Sequence, residues 1–279
     1  MHPIERLRYV ARASGADQVM LVRETAQALA AFRDDPSGLV AASRRIVDRH
    51  PTSGPLWWLC ARVLTSPDGH REAWRAVDDI EADPTASELA FALPEDATVC
   101  VVGWPELAGE ALPRRGDVEV LAVDALGEGS GLVRRLLHAG VDAVDVPPSG
   151  LAAAVASSDL LLLEAVALGP SGFVAVSGSL AAAAVARHAQ VPVWVVAGVG
   201  RLLPRRMWDA LADRQATRAA DPWDLDEEVV PLSLVDAVSG PAGLQACEDA
   251  LRRTDCPVAP ELFDVGNAPG TYTGDHWTH

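Results

Sequence analysis

Apolar residues recur every three or four positions through the first third of the chain and then change to short unbroken runs. In ETAQALAAF (24–32) and GLVAASRRIVDRH (38–50) this spacing predicts amphipathic helices, separated by the breaker Asp34-Asp35-Pro36-Ser37. Pro51-Thr52-Ser53-Gly54-Pro55 interrupts the chain again before the helix LWWLCARVL. A further helix over about 70–80 is expected to place Trp74, Val77 and Ile80 on one apolar face. Residues 1–93 are thus predicted to form an all-helical domain.

Five apolar runs follow: TVCVVG (98–103), VEVLAV (118–123), AVDV (143–146), DLLLL (159–163) and VPVWVVA (191–197). They alternate with helix-length segments such as PELAGEAL, GLVRRLLHAG, GLAAAVA and SLAAAAVARHA. Strands that are apolar throughout, and not alternating, belong to sheets covered by helices on both faces. The predicted fold class is therefore α/β: an N-terminal all-helical domain followed, over 94–240, by a Rossmann-like, doubly wound, mostly parallel sheet. Residues 241–279 read as a C-terminal extension, partly disordered, that ends in GTYTGDHWTH. The uncharged stretch 165–186 has the length of a membrane span, yet Gly169-Pro170-Ser171-Gly172 and the polar Ser177, Gly178 and Ser179 break it. A buried strand, a turn and a packed helix are expected there, with no membrane partner.

Composition narrows the chemistry. The 279 residues supply a sizeable core. All 23 cationic side chains are arginine, so functions that need a lysine Schiff base or a P-loop lysine are excluded. Against 39 acids the net charge is -16, and the excess is uneven: residues 1–90 carry 11 Arg and 13 acids, residues 91–279 carry 12 Arg and 26 acids. A second part that acidic repels phosphate backbones and anionic lipid, which argues against a nucleic-acid partner. Cys60, Cys100, Cys247 and Cys256 form no CxxC pair and no metal-finger spacing; Cys60 and Cys100 sit in apolar runs and read as small buried hydrophobes. His276 and His279 have a metal-compatible spacing but lie in the terminal segment, and no metal site or cofactor is expected. The opening MHPIERLRYVAR lacks the apolar segment of a secretory signal, which gives the expectation of a cytoplasmic protein.

Ligands of open parallel sheets bind outside the carboxyl ends of the strands. Gly103-Trp104-Pro105-Glu106 follows the first run there, residues 124–131 the second, Glu164 the fourth, and Gly198-Val199-Gly200-Arg201 the fifth. Glu164 directly ends four leucines, where apolar packing meets the cleft, a setting that suits acid–base work. Gly178 and Ser179 open a helix whose free amides and dipole favour an anion such as phosphate; an ordinary Ser cap is the competing use. Gly198, Gly200 and Arg201 form a second candidate anion site, while Arg205 and Arg206 fit the exposed face of a helix beginning near Pro204. Gly127, Gly129 and Gly131 imitate a dinucleotide fingerprint, but Leu132 stands where a glycine is needed, so a flexible strand-to-helix loop is the alternative.

The stretch 140–200 resembles the translation initiation factor 2B alpha/beta/delta family, which includes the methylthioribose-1-phosphate and ribose-1,5-bisphosphate isomerases. GVDAVDV leading to SSDLLLLEAVALGPSG is similar to that family's strand ending in Gly-Ala-Asp or Gly-Ala-Glu and its glycine turn, and GSLAAAAVARHAQVPVWVVA to its Gly-Thr, Ala-rich helix and following strand. HPTSGPLWWLCARVL resembles its Arg-Pro-Thr helical motif, and VVPLSLVDAVSG its C-terminal Thr-Pro-Pro-linked helix, so the likeness spans roughly residues 15–240.

The resemblance implies a helical domain followed by a Rossmann-like domain that dimerises through the latter. It places Glu164 where the isomerases carry their acid–base aspartate. The chain also departs from the isomerases. Gly103-Trp104-Pro105 replaces their His-Cys loop and Cys100 falls too early, Ala175-Val176-Ser177 replaces their Asn-Lys pair, and the 124–127 loop lacks their arginine. Losing several transition-state partners together abolishes efficient isomerisation. The resemblance therefore implies a binding or regulatory member. Its expected ligand is a small phosphorylated one, sugar phosphate or nucleotide, held near Gly103, Trp104, Glu164, Gly178, Ser179, Gly198, Gly200 and Arg201, and its expected assembly is a homodimer. An aldose–ketose sugar-phosphate isomerase using Glu164 as acid–base residue is the alternative, and nucleotide binding through residues 127–131 a third.

Overall fold

A computed structural model describes residues 18–217 and 221–263. The chain opens with helices α1 (Gln18–Leu29), α2 (Pro36–Arg49), α3 (Gly54–Thr65) and α4 (Gly69–Glu81). Their starts are written locally: Asp35 accepts from the Gly38 amide with Pro36 as first helical residue, and Asp68 accepts from the Arg71 amide. Trp57 and Trp58 are fully buried, and their indole N–H groups find Pro51 O at 2.9 Å and Asp255 Oδ1 at 3.1 Å. The apolar face of α4 is Ala73, Ala76, Val77 and Ile80; Trp74, expected among them, is 39% exposed because it lies one step round the helix.

The helical core is shared with the rest of the chain. Leu203 and the face Met207, Trp208 and Leu211 of α10 (Arg205–Ala216) pack into it, as do Cys256, Ala259 and Leu262. A fifth helix, α5 (Thr85–Ala92), packs against the sheet layer instead, beside α6 (Glu106–Arg115).

The sheet has seven strands. In chain order its parallel members are β1 (Thr98–Val102), β2 (Glu119–Val123), β3 (Asp142–Val146), β4 (Leu160–Glu164) and β7 (Val193–Val196). They are joined through α6, α7 (Gly129–His138), α8 (Leu151–Ala156) and α9 (Ser179–Ala189). β9 (Ala237–Gly240) pairs parallel with β7, and β10 (Gly243–Gln245) closes that edge antiparallel, giving the order β10-β9-β7-β4-β1-β2-β3. β1 and β4 are buried on both faces, which is why they read as continuous Val and Leu. From β1 the chain winds outward through β2 and β3, and from β4 through β7 and β9 the other way. The strand order therefore reverses between β1 and β4, where an open sheet forms its ligand crevice.

Two expectations are corrected. The uncharged stretch holds not one strand but a hairpin, β5 (Ala167–Gly169) and β6 (Gly172–Val176), turning at Pro170-Ser171. With β8 (Glu227–Pro231) it forms a separate antiparallel sheet of order β5-β6-β8. VVPLSLVDAVSG, likened to a helix, is the end of β8, a single 3-10 turn and β9; Pro231 ends the strand, and Asp236 accepts from the Val193 amide at 2.8 Å to join β9 to β7. In the expected C-terminal extension, residues 243–245 form β10, and Cys247–Leu251 form α11. Residues 264–279, with His276 and His279, lie outside the described residues. No helix among the described residues is long and apolar enough to cross a membrane.

Gly169 lets α10 press onto the hairpin: a Cβ there would stand 2.1 Å from the Trp208 ring. Gly169→Ala should therefore destabilise the protein by about 1–3 kcal/mol in urea unfolding; an unchanged midpoint would contradict this packing.

Candidate functional site

Glu164 ends β4 with its carboxylate committed on both oxygens. Oε2 accepts the amides of Leu107 at 2.9 Å and Ala108 at 3.1 Å, in the first turn of α6, whose N-cap residue Pro105 offers no side-chain acceptor. Oε1 accepts from Arg201 Nη1 at 2.7 Å, and that nitrogen also reaches Ala165 O at 2.9 Å. Arg201 Nη2 lies 3.4 Å from Glu106 Oε2. Glu164 is only 10% exposed and Arg201 7%. The structure thus brings these two predicted residues together, but as a buried pair that stitches β4, α6 and the loop after β7. Acid–base work needs a carboxylate oxygen within reach of the reacting proton; here each Glu164 oxygen holds a structural donor.

The other stations of the rim repeat the motif. Glu228 Oε1 accepts from the amides of Gly178 at 2.7 Å and Leu180 at 2.9 Å, so a carboxylate from β8 already fills the expected phosphate position at the start of α9. Gly178, not Ser179, is the N-cap, with φ +101° that suits glycine; Ser179 is buried and its hydroxyl has no partner among the described residues. Asp124 accepts from the Gly129 amide at 2.8 Å and closes α7. Asp83 Oδ2 accepts from Val199 N at 2.8 Å in the 198–201 loop, while its Oδ1 caps α5 through the Thr85 amide at 2.9 Å.

The glycines of that loop serve close packing. A Cβ on Gly198 would meet Asp83 at 2.3 Å, and one on Gly200, at φ +77°, would meet the Trp58 ring at 2.9 Å. Gly131 likewise makes room for the ring of Trp104, since a Cβ there would stand 2.6 Å from it. Gly103 turns the chain after β1 at φ +68°. Arg205 and Arg206 begin α10 behind Pro204 on its exposed side.

A cavity of 470 Å³ is lined by Arg206, Asp209 and Phe263, and two others open at this rim. One, of 290 Å³, lies outside β1 and β2 and includes Gly178; the other, of 210 Å³, includes Gly198 and Gly200. Glu164 and Arg201 line neither. Among the described residues no group of three or more His, Cys, Asp or Glu side chains could hold a metal.

The architecture has known counterparts. The chain matches translation initiation factor eIF-2B of Pyrococcus horikoshii OT3 with a TM-score of 0.74 at 13% identity, over 89% of this chain and 98% of that one. It matches the tetrameric eIF2B-beta2-delta2 complex from C. thermophilum with a TM-score of 0.72 at 17% identity, over 90% and 92%. The delta subunit of eIF-2B from A. fulgidus gives 0.58 at 15% identity, over 90% and 89%. This chain has the eIF2B-subunit fold. No family model and no curated protein sequence matches it.

Within this eIF2B-like fold Cys60, Cys100 and Cys256 are buried and not poised as nucleophiles. Burial pushes the Cys100 thiol, inside β1, up to about 12, and Cys60 to about 12 as well, partly offset by its contact with Ser43. Burial raises Cys256 further, helped by Asp255. Asp124 ends an apolar run as Glu164 does and was open to the same reasoning. Glu228 carries no local signal, because its amide partners lie about 50 positions away, and the local cap of Asp83 on Thr85 says nothing of its second partner, Val199, 116 positions away.

Removing the Glu164 carboxylate leaves buried Arg201 with only its longer, 3.4 Å contact to Glu106 as an ion pair among the described residues. Glu164→Ala should cost about 3–5 kcal/mol in urea unfolding, whereas Glu164→Leu with Arg201→Met should recover the part due to the unpaired guanidinium and leave the loss of the α6 amide acceptor; equal losses would contradict the paired role. Native protein treated with iodoacetamide at pH 8 should stay unmodified at Cys60, Cys100 and Cys256 by mass spectrometry and become modified at all three in urea. These raised values favour the protonated thiol, so their contribution to stability persists at neutral pH and is lost only as alkali ionises the thiols.

Proposed function

We propose that this chain is a divergent member of the translation initiation factor 2B alpha/beta/delta family that acts by binding, as a regulatory subunit, and does not isomerise sugar phosphates. The observation that carries this reading is the engagement of both Glu164 oxygens, one by the α6 amides and the other by Arg201. The inert setting of Cys100 and the missing His-Cys and Asn-Lys pairs support it further. A phosphorylated ligand at Gly178 would have to displace Glu228 from the amides it already accepts, so phosphate is a poor match for this rim.

The reading includes self-association through the α/β part. The likeness to a tetrameric complex supports it, as do the exposed apolar side chains Leu137 and Val144 on the neighbouring elements α7 and β3.

Purified protein incubated with ribose 1,5-bisphosphate or methylthioribose 1-phosphate should form no ketose product. Turnover that vanishes in Glu164→Gln would overturn the reading. In light scattering after gel filtration the protein should run at twice the chain mass or more; a monomer at micromolar concentration would remove the assembly from it.

A further inference from the structure

The 290 Å³ cavity lies at the carboxyl ends of β1 and β2, one strand along from the β1–β4 switch point, and is close to the size of a small-ligand site. Its floor is apolar, with Val102, Val123 and Leu151. On its walls stand two side chains that folding leaves outside, Trp223 at 80% exposure and Leu126 at 58%. The Trp223 wall is held in place, because Ser177 donates its amide to Asp226 O at 2.9 Å and its hydroxyl to Leu225 O at 2.5 Å.

Every ionisable group among the described lining residues is acidic: Asp124, Asp224 and Asp226. Asp124 gives one oxygen to the Gly129 amide, while the carboxylates of Asp224 and Asp226 have no partner among the described residues. Beyond the lining, the nearby amides of α9 are taken by a further carboxylate, Glu228. An apolar floor, an open tryptophan face and unpaired carboxylates match one ligand chemistry. Aromatic faces attract organic cations, carboxylates pair with them, and the same acids repel phosphate.

We propose that this cleft binds a small organic cation, a guanidinium or ammonium group on an apolar stem. The proposal names the ligand class for the binding role argued above and rests on that reading. Calorimetric titration of the full chain with agmatine, at low and at physiological salt, tests it. Saturable binding of one agmatine per chain is expected, weakened about tenfold or more in Asp224→Asn with Asp226→Asn, and again in Trp223→Ala. Glu95→Gln, an exposed acid elsewhere, should leave it unchanged, and ribose 1,5-bisphosphate should give no heat. Circular dichroism confirms that the variants fold. No agmatine binding, equal binding by the cleft variants, an equal loss in Glu95→Gln, or saturable binding of the sugar phosphate would each overturn the proposal. Sugar-phosphate turnover, by contrast, would overturn the regulatory reading and leave the agmatine titration as a separate result.

Discussion

The carboxylate of Glu164, held between the first-turn amides of α6 and the guanidinium of Arg201, is the contact on which the centre of the molecule depends. β4 is the sheet's middle strand, α6 follows its neighbour β1, and Arg201 belongs to the loop after β7, so one side chain fixes three connections at the switch point. Neither ion could be buried alone, since an unpaired charge in that setting costs several kcal/mol. The pair is tolerable because the α6 amides and the Ala165 carbonyl complete its hydrogen bonds.

The same solution recurs around the rim. Asp124 and Glu228 each deliver a carboxylate to backbone amides at a helix start, the kind of position that can bind a phosphate, and Asp83 does so to the loop amide of Val199. The acidic excess of the second part of the chain is thus put to structural use, and it turns a rim that would attract anions into one that repels them. What the rim leaves open is a cleft with acidic and aromatic walls. Function, on this view, lies in what the cleft and the outer surface bind, and not in proton transfer at β4.

Much of the architecture could be read from the residues because the physics there is local. Runs such as TVCVV and LLLL have no polar face, so they had to be central strands, and the positions of β1, β2, β3, β4 and β7 follow. The β5–β6 hairpin was half legible: its turn was seen, but the returning strand Phe173–Val176 pairs with β8, some fifty residues on, and that partner leaves no trace in the local pattern. Glu164 was legible as a residue at a meaningful place, at the end of an apolar run. Its role was not, because Leu107 and Arg201 lie 57 and 37 positions away. Gly198 and Gly200 read as part of an anion site; the space a Cβ would need there is taken by Asp83 and Trp58, which lie far away in the sequence.

Native-state amide hydrogen exchange tests most directly whether the rim's carboxylates are structural acceptors. The account predicts slow exchange at Leu107, Ala108, Gly178, Leu180 and Gly129 in the protein alone, unchanged by inorganic phosphate, with Leu107 and Ala108 accelerated selectively in Glu164→Gln. Fast exchange at these amides in the unmodified protein, slowed when phosphate is added, would contradict it.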